Sequence, residues 1–216
     1  MARFLIIGAS SGIGLETVKA ALASGHAVRA FARSASKIAI DDAFLEKVDG
    51  DALDAAAVTA ALAECDAVIQ SLGVALNPTT VLSGTTLFST ATRVLVDAMA
   101  NAGPKRLIVV TGLGTGDSRD RMSPLYRAAF EVSLRRIYDD KDVQEMIVRR
   151  SGLEWTLVRP GFLTNQPSGS WKAFATGPGT DSNSVSGSIA RADVAAFIIR
   201  HWDDPVYLHA APILVS

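Results

Sequence analysis

Residues 4–14 read Phe-Leu-Ile-Ile-Gly-Ala-Ser-Ser-Gly-Ile-Gly, an apolar run followed by closely spaced glycines. The apolar part predicts a buried strand, and the glycines predict a tight turn that opens a helix. In such a turn the backbone can approach a ligand closely, and its free amides and the positive end of the helix attract a pyrophosphate. The stretch therefore predicts a nucleotide site, the alternative being a tight strand-to-helix connection that binds nothing.

The flanking sequence supplies the context that this motif needs. Leu15, Val18 and Leu22 recur at helical spacing up to Gly25, a residue typical of a helix end. A second strand at 27–32 then completes a strand–helix–strand unit. This context favours the ligand-binding interpretation.

The same alternation continues along the whole chain. Strands are predicted at 3–8, 27–32, 44–48, 66–71, 106–111, 154–158 and 206–209. Helical patterns are predicted at 87–99, at 139–152, where Asp139 and Asp140 open the helix, and from Ala192 onward. This order is typical of an α/β protein, and we expect a single Rossmann-like doubly wound parallel sheet, with helices on both faces, over residues 1–216.

Two long stretches interrupt the alternation, at 112–124 and 160–188, and both are rich in Gly, Ser, Thr and Pro. Loops of this length are uncommon in compact domains unless they bind something or are disordered. Both follow predicted strands at their carboxyl ends, the edge at which doubly wound sheets hold ligands. We expect them to be substrate loops.

Composition excludes several function classes. The net charge is −1 and the basic residues are scattered, so a nucleic-acid partner is not expected. No apolar run is long enough to span a bilayer and no signal-peptide pattern is present, so we expect a cytoplasmic protein without a membrane partner. Cys65 is the single cysteine, and the histidines lack metal-ligand spacing, so no metal site is expected.

The end of the second strand predicts which nucleotide binds. An acidic residue there would bind a free ribose 2′-hydroxyl, but no Asp or Glu lies between Glu16 and Asp41. Arg33 and Lys37 stand in this region instead and favour a 2′-phosphate, hence NADP(H), although both could be ordinary solvated charges. Asp51 is a candidate for the adenine amino group, and Asp51 and Asp54 compete as the cap of the next helix.

The chain resembles the atypical short-chain dehydrogenase/reductases, in the NAD(P)H-binding, NmrA-like branch that includes biliverdin-IXβ/flavin reductases. Several motifs carry the resemblance: the glycine turn at 8–14, Arg33, Gly50-Asp51, the run at 66–73, Asn77-Pro78-Thr79-Thr80, Thr111, Ser151-Gly152-Leu153, Arg159-Pro160-Gly161, Gln166-Pro167 and 188–193. The resemblance covers nearly the whole chain. It implies the fold and the cofactor, but no particular substrate.

Position by position, the resemblance implies a set of cofactor contacts. They are Gly8, Ser10, Ser11, Gly12 and Ile13 at the pyrophosphate, Arg33 and Lys37 at the 2′-phosphate, Asp51 and Ala52 at the adenine, Ser71, Leu72, Gly73 and Thr111 along the ribose and nicotinamide, and Pro160 and Phe162 beside the nicotinamide. The substrate surface would include Gly112, Leu113, Arg159, Phe162 and Trp171. For Arg159, Trp171 and Lys141 a purely structural role is an open alternative.

The sequence departs from the family pattern at its proton donor. Well-known short-chain reductases use a Tyr and, four residues later, a Lys that lowers the phenol pKa. The residues four positions after Tyr126, Tyr138 and Tyr207 are Phe130, Asp142 and Ala211. Lys141 follows Tyr138 by three positions, which leaves a variant pair open. Gly112 also replaces a serine of the flavin-reductase relatives, so Thr111 or Thr115 would have to supply a hydroxyl.

These departures favour a substrate whose reduced form is a stabilised anion, such as a flavin, a quinone or a linear tetrapyrrole. We expect an NADPH-dependent reductase in which orientation supplies most of the catalysis and Thr111 and Lys141 assist the reaction. The alternative is a non-catalytic NADP-sensing protein, and a nucleotide-sugar epimerase or dehydratase is a weaker third possibility. The protein is expected to act on a small molecule as a monomer or weak homodimer.

Overall fold

The computed structural model describes residues 1–167, 169–176 and 184–216. Its strands are β1 (Arg3–Ile7), β2 (Ala27–Ala32), β3 (Leu45–Asp49), β4 (Ala67–Gln70), β5 (Arg106–Val110), β6 (Glu154–Pro160), β7 (Phe162–Thr164), β8 (Lys172–Phe174), β9 (Ser188–Ala190) and β10 (Ile213–Val215). Its helices are α1 (Gly12–Ala23), α2 (Ala55–Ala61), α3 (Pro78–Ser83), α4 (Leu87–Ala102), α5 (Pro124–Ser133), α6 (Arg135–Arg149) and α7 (Arg191–Arg200).

A mostly parallel sheet runs through the centre of the molecule in the order β3-β2-β1-β4-β5-β6-β10-β8. Only the β10–β8 pair of this sheet is antiparallel. The strand order reverses beside β1, which pairs with β2 on one side and β4 on the other. Open parallel sheets bind ligands in the crevice where the strand order reverses, beyond the carboxyl ends of the strands. The Rossmann-like fold expected from the sequence is confirmed.

Alternating side chains of β1 build two cores, one on each face of the sheet. Phe4 and Ile6 pack into the cluster that includes Val18 of α1 and Phe197 of α7. Leu5 and Ile7 pack with side chains of α2, α4 and α6 on the opposite face. Because strand side chains alternate between faces, an unbroken apolar strand requires helices on both.

Two sequence-based predictions are corrected near the ends of elements. The expected strand at 206–209 is wrong, because Pro205–Tyr207 forms a short 3-10 helix whose first turn is capped by the Asp204 carboxylate. The last strand is β10, which pairs with β6. Helix α6 begins at Arg135, before the expected start, and Asp140 accepts a hydrogen bond from the backbone amide of Phe88 at the start of α4.

The two expected substrate loops contain more structure than a loop. The first holds a 3-10 segment, Gly116–Arg121, and Leu113 and Met122 pack into a small apolar cluster with Phe130. The second contains β7 and β8, and residues 168 and 177–183 of it lie outside the described part of the chain. Among the residues that the structure describes, no helix is both long and apolar enough to cross a membrane.

Candidate functional site

A cavity of about 760 Å³ opens at the reversal point of the sheet. One part of its wall, here called the glycine half, comes from the segments that follow β1, β2, β3 and β4. The other part, called the apolar half, is formed by Leu76, Leu87, Phe88, Val110, Thr111, Gly112, Leu134, Ile137, Tyr138, Lys141, Pro160, Gly161, Phe162, Leu163 and Arg191. Both halves meet over the carboxyl ends of β4 and β5.

Glycines are required in the first turn of the glycine half because no side chain fits there. A Cβ on Gly8 would overlap the Ser71 carbonyl oxygen, and a Cβ on Gly14 would overlap the carbonyl oxygen of Gly8. Gly8 and Gly12 also have positive φ angles, +86° and +57°. Any larger residue would push α1 away from the sheet and close the cradle.

The N-terminus of α1 is left open toward this cavity. Ser11 precedes the helix without a side-chain cap, and the first turn contains no acidic residue. Ser10, Ser11, Gly12 and Ile13 all line the cavity. Amides at an uncapped helix start, together with the helix dipole, suit a bound phosphate, so the residues present fit the pyrophosphate of a dinucleotide.

Arg33 and Lys37 differ in their relation to the cavity. Arg33 lies on the cavity wall, is exposed, and its side chain forms no hydrogen bond or ion pair with the described residues. Lys37 does not line the cavity; hydrogen bonds from the Ser36 amide and hydroxyl hold the pKa of Asp49 below its ordinary value, and the Lys37 charge contributes least to this shift. The expected contact at Arg33 is placed at the cavity, and the one at Lys37 is not.

The choice left open between two caps of α2 is resolved. The Asp54 carboxylate accepts hydrogen bonds from the amides of Ala56 and Ala57, so it caps the helix. The Asp51 carboxylate accepts a turn hydrogen bond from the Leu53 amide at 3.0 Å, and Asp51 lines the cavity beside Ala52. Ser71, Leu72 and Gly73 also line it, as expected.

Lys141 is the buried cation of the apolar half. Its side chain projects from α6 and the residue is 7% exposed, with the ammonium 4.0 Å from the centre of the Phe88 ring. It forms no hydrogen bond or ion pair with the described residues. Burial lowers the pKa of Lys141 to about 8, against the opposing effect of Glu145 and Asp140. An ammonium of this kind can give up a proton near neutral pH.

A second group of charges lies beneath the loop that follows β5. It is here called the Arg159 cluster and consists of Arg159, Glu145, Asp117 and Thr111. Arg159 is fully buried and its guanidinium donates to Glu145 at 2.9 and 2.5 Å and pairs with Asp117 at 2.7 Å. Thr111 donates its hydroxyl proton to Glu145 at 2.8 Å. The pKa of Arg159 is raised above its ordinary value, since the Glu145 hydrogen bond and both carboxylates outweigh the opposing effect of burial.

This cluster corrects two expected roles. Arg159 does not line the cavity, and its charge is already neutralised by carboxylates, so it is not available there for a substrate. Thr111 lines the cavity as expected, but its hydroxyl proton is committed to Glu145, so it is not a free proton donor. Thr115, the other threonine considered, is fully buried and lies off the cavity wall.

Two further substrate candidates also lie elsewhere. Leu113 is 1% exposed and packs into the apolar cluster under the loop. Trp171 packs edge-on against Phe197, with the Arg200 guanidinium 5.0 Å from its ring centre. Neither belongs to the cavity wall, whereas Gly112, Pro160 and Phe162 do, and Phe162 is 65% exposed.

The Tyr138 side chain fills the space next to the Gly112 backbone. A Cβ on Gly112 would overlap the Tyr138 hydroxyl oxygen, so the phenol fills the volume that a side chain at position 112 would take. The Lys141 ammonium lies 6.0 Å from the centre of the Tyr138 ring. The hydroxyl that the sequence lacks at position 112 is therefore brought there by α6.

Sequence reasoning missed Glu145, Phe88 and Arg191. Glu145 could have been found from Arg159, because an arginine inside a buried strand requires a carboxylate partner. Phe88 and Arg191 carried no signal that distinguishes them from ordinary helix residues. Among the described residues no group of three His, Cys, Asp or Glu side chains could hold a metal ion.

Sequence comparison finds a matching family model and a relative that spans most of the chain. The model of a family described as NAD(P)H-binding matches residues 8–205. An uncharacterized sugar epimerase, YhfK of Bacillus subtilis (strain 168), is 29% identical over 218 residues, which cover 94% of this chain and 88% of that protein.

Solved structures extend the likeness to three dimensions. ChuY of Escherichia coli O157:H7, described as an anaerobillin reductase, is 29% identical with a TM-score of 0.77, covering 99% of this chain and 96% of ChuY. A wide-type short-chain dehydrogenase/reductase of Veillonella parvula DSM 2008, solved in complex with NADP, has a TM-score of 0.81 at 17% identity, covering 100% and 94% of the two chains. At that identity the second likeness concerns the fold alone.

Proposed function

The chain belongs to the NAD(P)H-binding family, and we propose that it is an NADPH-dependent reductase of planar or quinoid small molecules of the flavin, quinone or tetrapyrrole type. One observation carries the proposal: Lys141 is a buried ammonium that forms no hydrogen bond or ion pair with the described residues, and it lines the apolar half of the cavity. A fold does not leave a buried cation unpaired for stability, because desolvation makes it costly.

The glycine half supplies the proposed cofactor site. The amides at the start of α1 would hold the pyrophosphate, Arg33 the 2′-phosphate, and Asp51 and Ala52 the adenine. Thr111, held by Glu145, would border the nicotinamide together with Pro160. Reduced nicotinamide, when bound, supplies a hydride.

Lys141 would act on the acceptor. When an acceptor takes up a hydride it gains an electron pair and a negative charge, and the ammonium of Lys141 can stabilise that charge and then transfer a proton to it. The acceptor thus gains one hydride and one proton, and Lys141 regains its proton from water. Its lowered pKa, about 8, matches this role because a proton donor works best near the operating pH.

The apolar wall favours a planar acceptor over a sugar. Leu87, Phe88, Ile137 and Leu163 offer surface for stacking and dispersion contacts, but no hydrogen-bond partners for a ring of hydroxyls. A reductase that lacks the Tyr-x-x-x-Lys spacing also suits an acceptor whose reduced anion is delocalised. Tyr138 precedes Lys141 by three positions instead of four, and its hydroxyl lies at the cavity wall beside Gly112.

The test is to follow NADPH absorbance with riboflavin, FMN, menadione and biliverdin as acceptors, beside a Lys141→Met variant. We expect at least one acceptor to be reduced by the wild type and the rate to fall about 10²-fold or more in the variant, the range of a lost general acid. Tight NADPH binding without reduction of any acceptor would support the NADP-sensing alternative instead.

A further inference from the structure

The charges on the cavity wall are unevenly distributed. Its acidic residue among those described is Asp51, which belongs to the glycine half, where the adenine is proposed to bind. Its basic residues are Arg33 in the glycine half and Lys141 and Arg191 in the apolar half. The described wall of the apolar half therefore carries two cations and no carboxylate, an arrangement that favours a negatively charged ligand.

Lys141 does not lose this charge to a neighbour. It is 7% exposed, so more than nine-tenths of the residue is buried, and no hydrogen bond or ion pair to a described residue satisfies its ammonium. Glu145 and Asp140 offset part of this charge but form no ion pair with it, so the ammonium still creates a field inside the cavity that it lines. That field favours an anion in the apolar half.

Arg191 is fixed at the edge of the apolar half. One of its terminal nitrogens, Nη1, donates to the Thr164 carbonyl oxygen at 3.2 Å and to the Asn165 side-chain oxygen at 2.7 Å. Both acceptors are uncharged, so the guanidinium is oriented but not neutralised. Its Nη2 and Nε have no partner among the described residues, which leaves a fork of donors suited to a carboxylate.

Helix stability does not explain a cation at this position. Arg191 is the first residue of α7, where the helix dipole is positive and disfavours a positive side chain. Arg200, at the other end of the same helix, has the favourable placement. Arg191 also adjoins β7, whose first residue, the exposed Phe162, presents an aromatic ring on the cavity wall.

From these observations we propose that the acceptor of the reductase is a planar apolar acid, whose body lies against Phe162 and the apolar half and whose carboxylate is bound by Arg191. This inference rests on the proposed reductase function. It narrows the acceptors to those that carry a carboxylate on an apolar ring system, and it makes Arg191 a residue that determines substrate specificity.

The experiment uses pairs of acceptors. Within each pair the chromophore is the same, and one member has free carboxylates where the other has uncharged esters. Biliverdin and its dimethyl ester form one pair, and the 3-propionic acid of menadione and its methyl ester form another. We expect kcat/KM to be about 10- to 100-fold higher for the acid of at least one pair, the range of a charge-assisted hydrogen bond. Arg191→Gln should abolish this ratio by lowering kcat/KM for the acid, and Arg191→Lys should keep part of it.

Arg200→Gln is the matched control, since it removes a cation from the exposed end of the same helix and should leave the acid-to-ester ratio unchanged. Equal rates for acid and ester in both pairs, or a ratio that survives Arg191→Gln, would overturn the inference. Calorimetry of the same pairs on protein saturated with NADP⁺ decides it without turnover: tighter binding of an acid that Arg191→Gln abolishes supports it, and equal binding overturns it. The proposed function fails separately, through the absence of hydride transfer.

Discussion

Two buried cations, 18 positions apart in the sequence, have opposite surroundings: Arg159 in the Arg159 cluster and Lys141 in the apolar half of the cavity. Glu145 and Asp117 neutralise Arg159, which has no exposed surface. Lys141 is almost as buried but pairs with no described residue and faces the cavity. The difference teaches that burial alone does not identify a functional charge, whereas the lack of a partner does.

The physical cost of each arrangement follows from desolvation. A buried ion pair with good geometry recovers most of the energy that its charges lose on leaving water, so it can serve a purely structural purpose. In this chain it attaches the loop after β5 to β6 and α6 through Asp117, Thr111 and Glu145. The Lys141 ammonium, whose contacts among the described residues are the Phe88 and Tyr138 rings, recovers less of that energy, as its lowered pKa shows. We therefore attribute its position to function rather than to stability.

The largest effect is expected when the paired cation is removed. Arg159→Met leaves the Glu145 carboxylate buried with only Thr111 and the more distant Arg149, at 3.7 Å, to stabilise it. We expect a loss of about 3–5 kcal/mol in the free energy of unfolding, measured by urea denaturation at pH 7. A second substitution, Glu145→Gln, should recover part of it. If Arg159→Met unfolds like the wild type, the cluster is not what holds the loop.

The same substitution at the unpaired cation should have the opposite sign. Lys141→Met replaces a buried charge by an apolar chain of similar length, so the free energy of unfolding at pH 7 should rise, by up to about 3 kcal/mol for a pKa lowered from 10.5 to about 8. In the same variant kcat/KM should fall about 10²-fold. Urea denaturation and steady-state kinetics measure the two quantities, and NADPH affinity is the control. A destabilised Lys141→Met protein would remove the contrast with Arg159.

Much of the fold could be predicted from the sequence, because its signals are local. Apolar runs followed by glycine or helical spacing gave β1, β2 and α1 close to their observed bounds. The strand predicted at 206–209 was wrong. Val206, Tyr207 and Leu208 are residues typical of a strand, but Pro205 and the Asp204 cap favour a 3-10 helix. The true last strand, Ile213–Val215, is too short to show a period.

In the apolar half only single residues could be predicted, among them Thr111, Lys141 and Phe162, whereas the glycine half could be predicted as a whole. There a single continuous motif supplies the turn, the amides and the helix dipole. Arg159 and Lys141 were both candidate site residues, and nothing in the local sequence distinguishes them. The difference lies in contacts with other elements: Asp117, in the loop after β5, pairs with Arg159, whereas no carboxylate of a described residue forms an ion pair with Lys141. Such pairing depends on contacts between segments far apart in sequence.

The pH dependence of the rate tests the same contrast through protonation. Lys141 must be charged to act as an acid, and its pKa is about 8, so kcat/KM should be nearly constant below pH 8 and fall about tenfold per pH unit above it. Arg159, with a raised pKa, stays charged throughout this range. The wild-type profile between pH 6 and 10 should show this fall, and Lys141→Met should show none. A fall that persists in the variant would assign the titration to another group.

The smallest effects concern a second pair of cations, Arg33 and Lys37, to which the same reasoning applies at the exposed edge of the glycine half. Arg33 lacks a partner among the described residues and lines the cavity, so Arg33→Ala should raise KM for NADPH about tenfold and leave KM for NADH unchanged. Lys37 lies off the wall and acts on Asp49, so Lys37→Ala should change either KM by less than about twofold. Steady-state kinetics with both cofactors measure this. Equal losses in the two variants would mean that position on the wall does not decide which cation binds the phosphate.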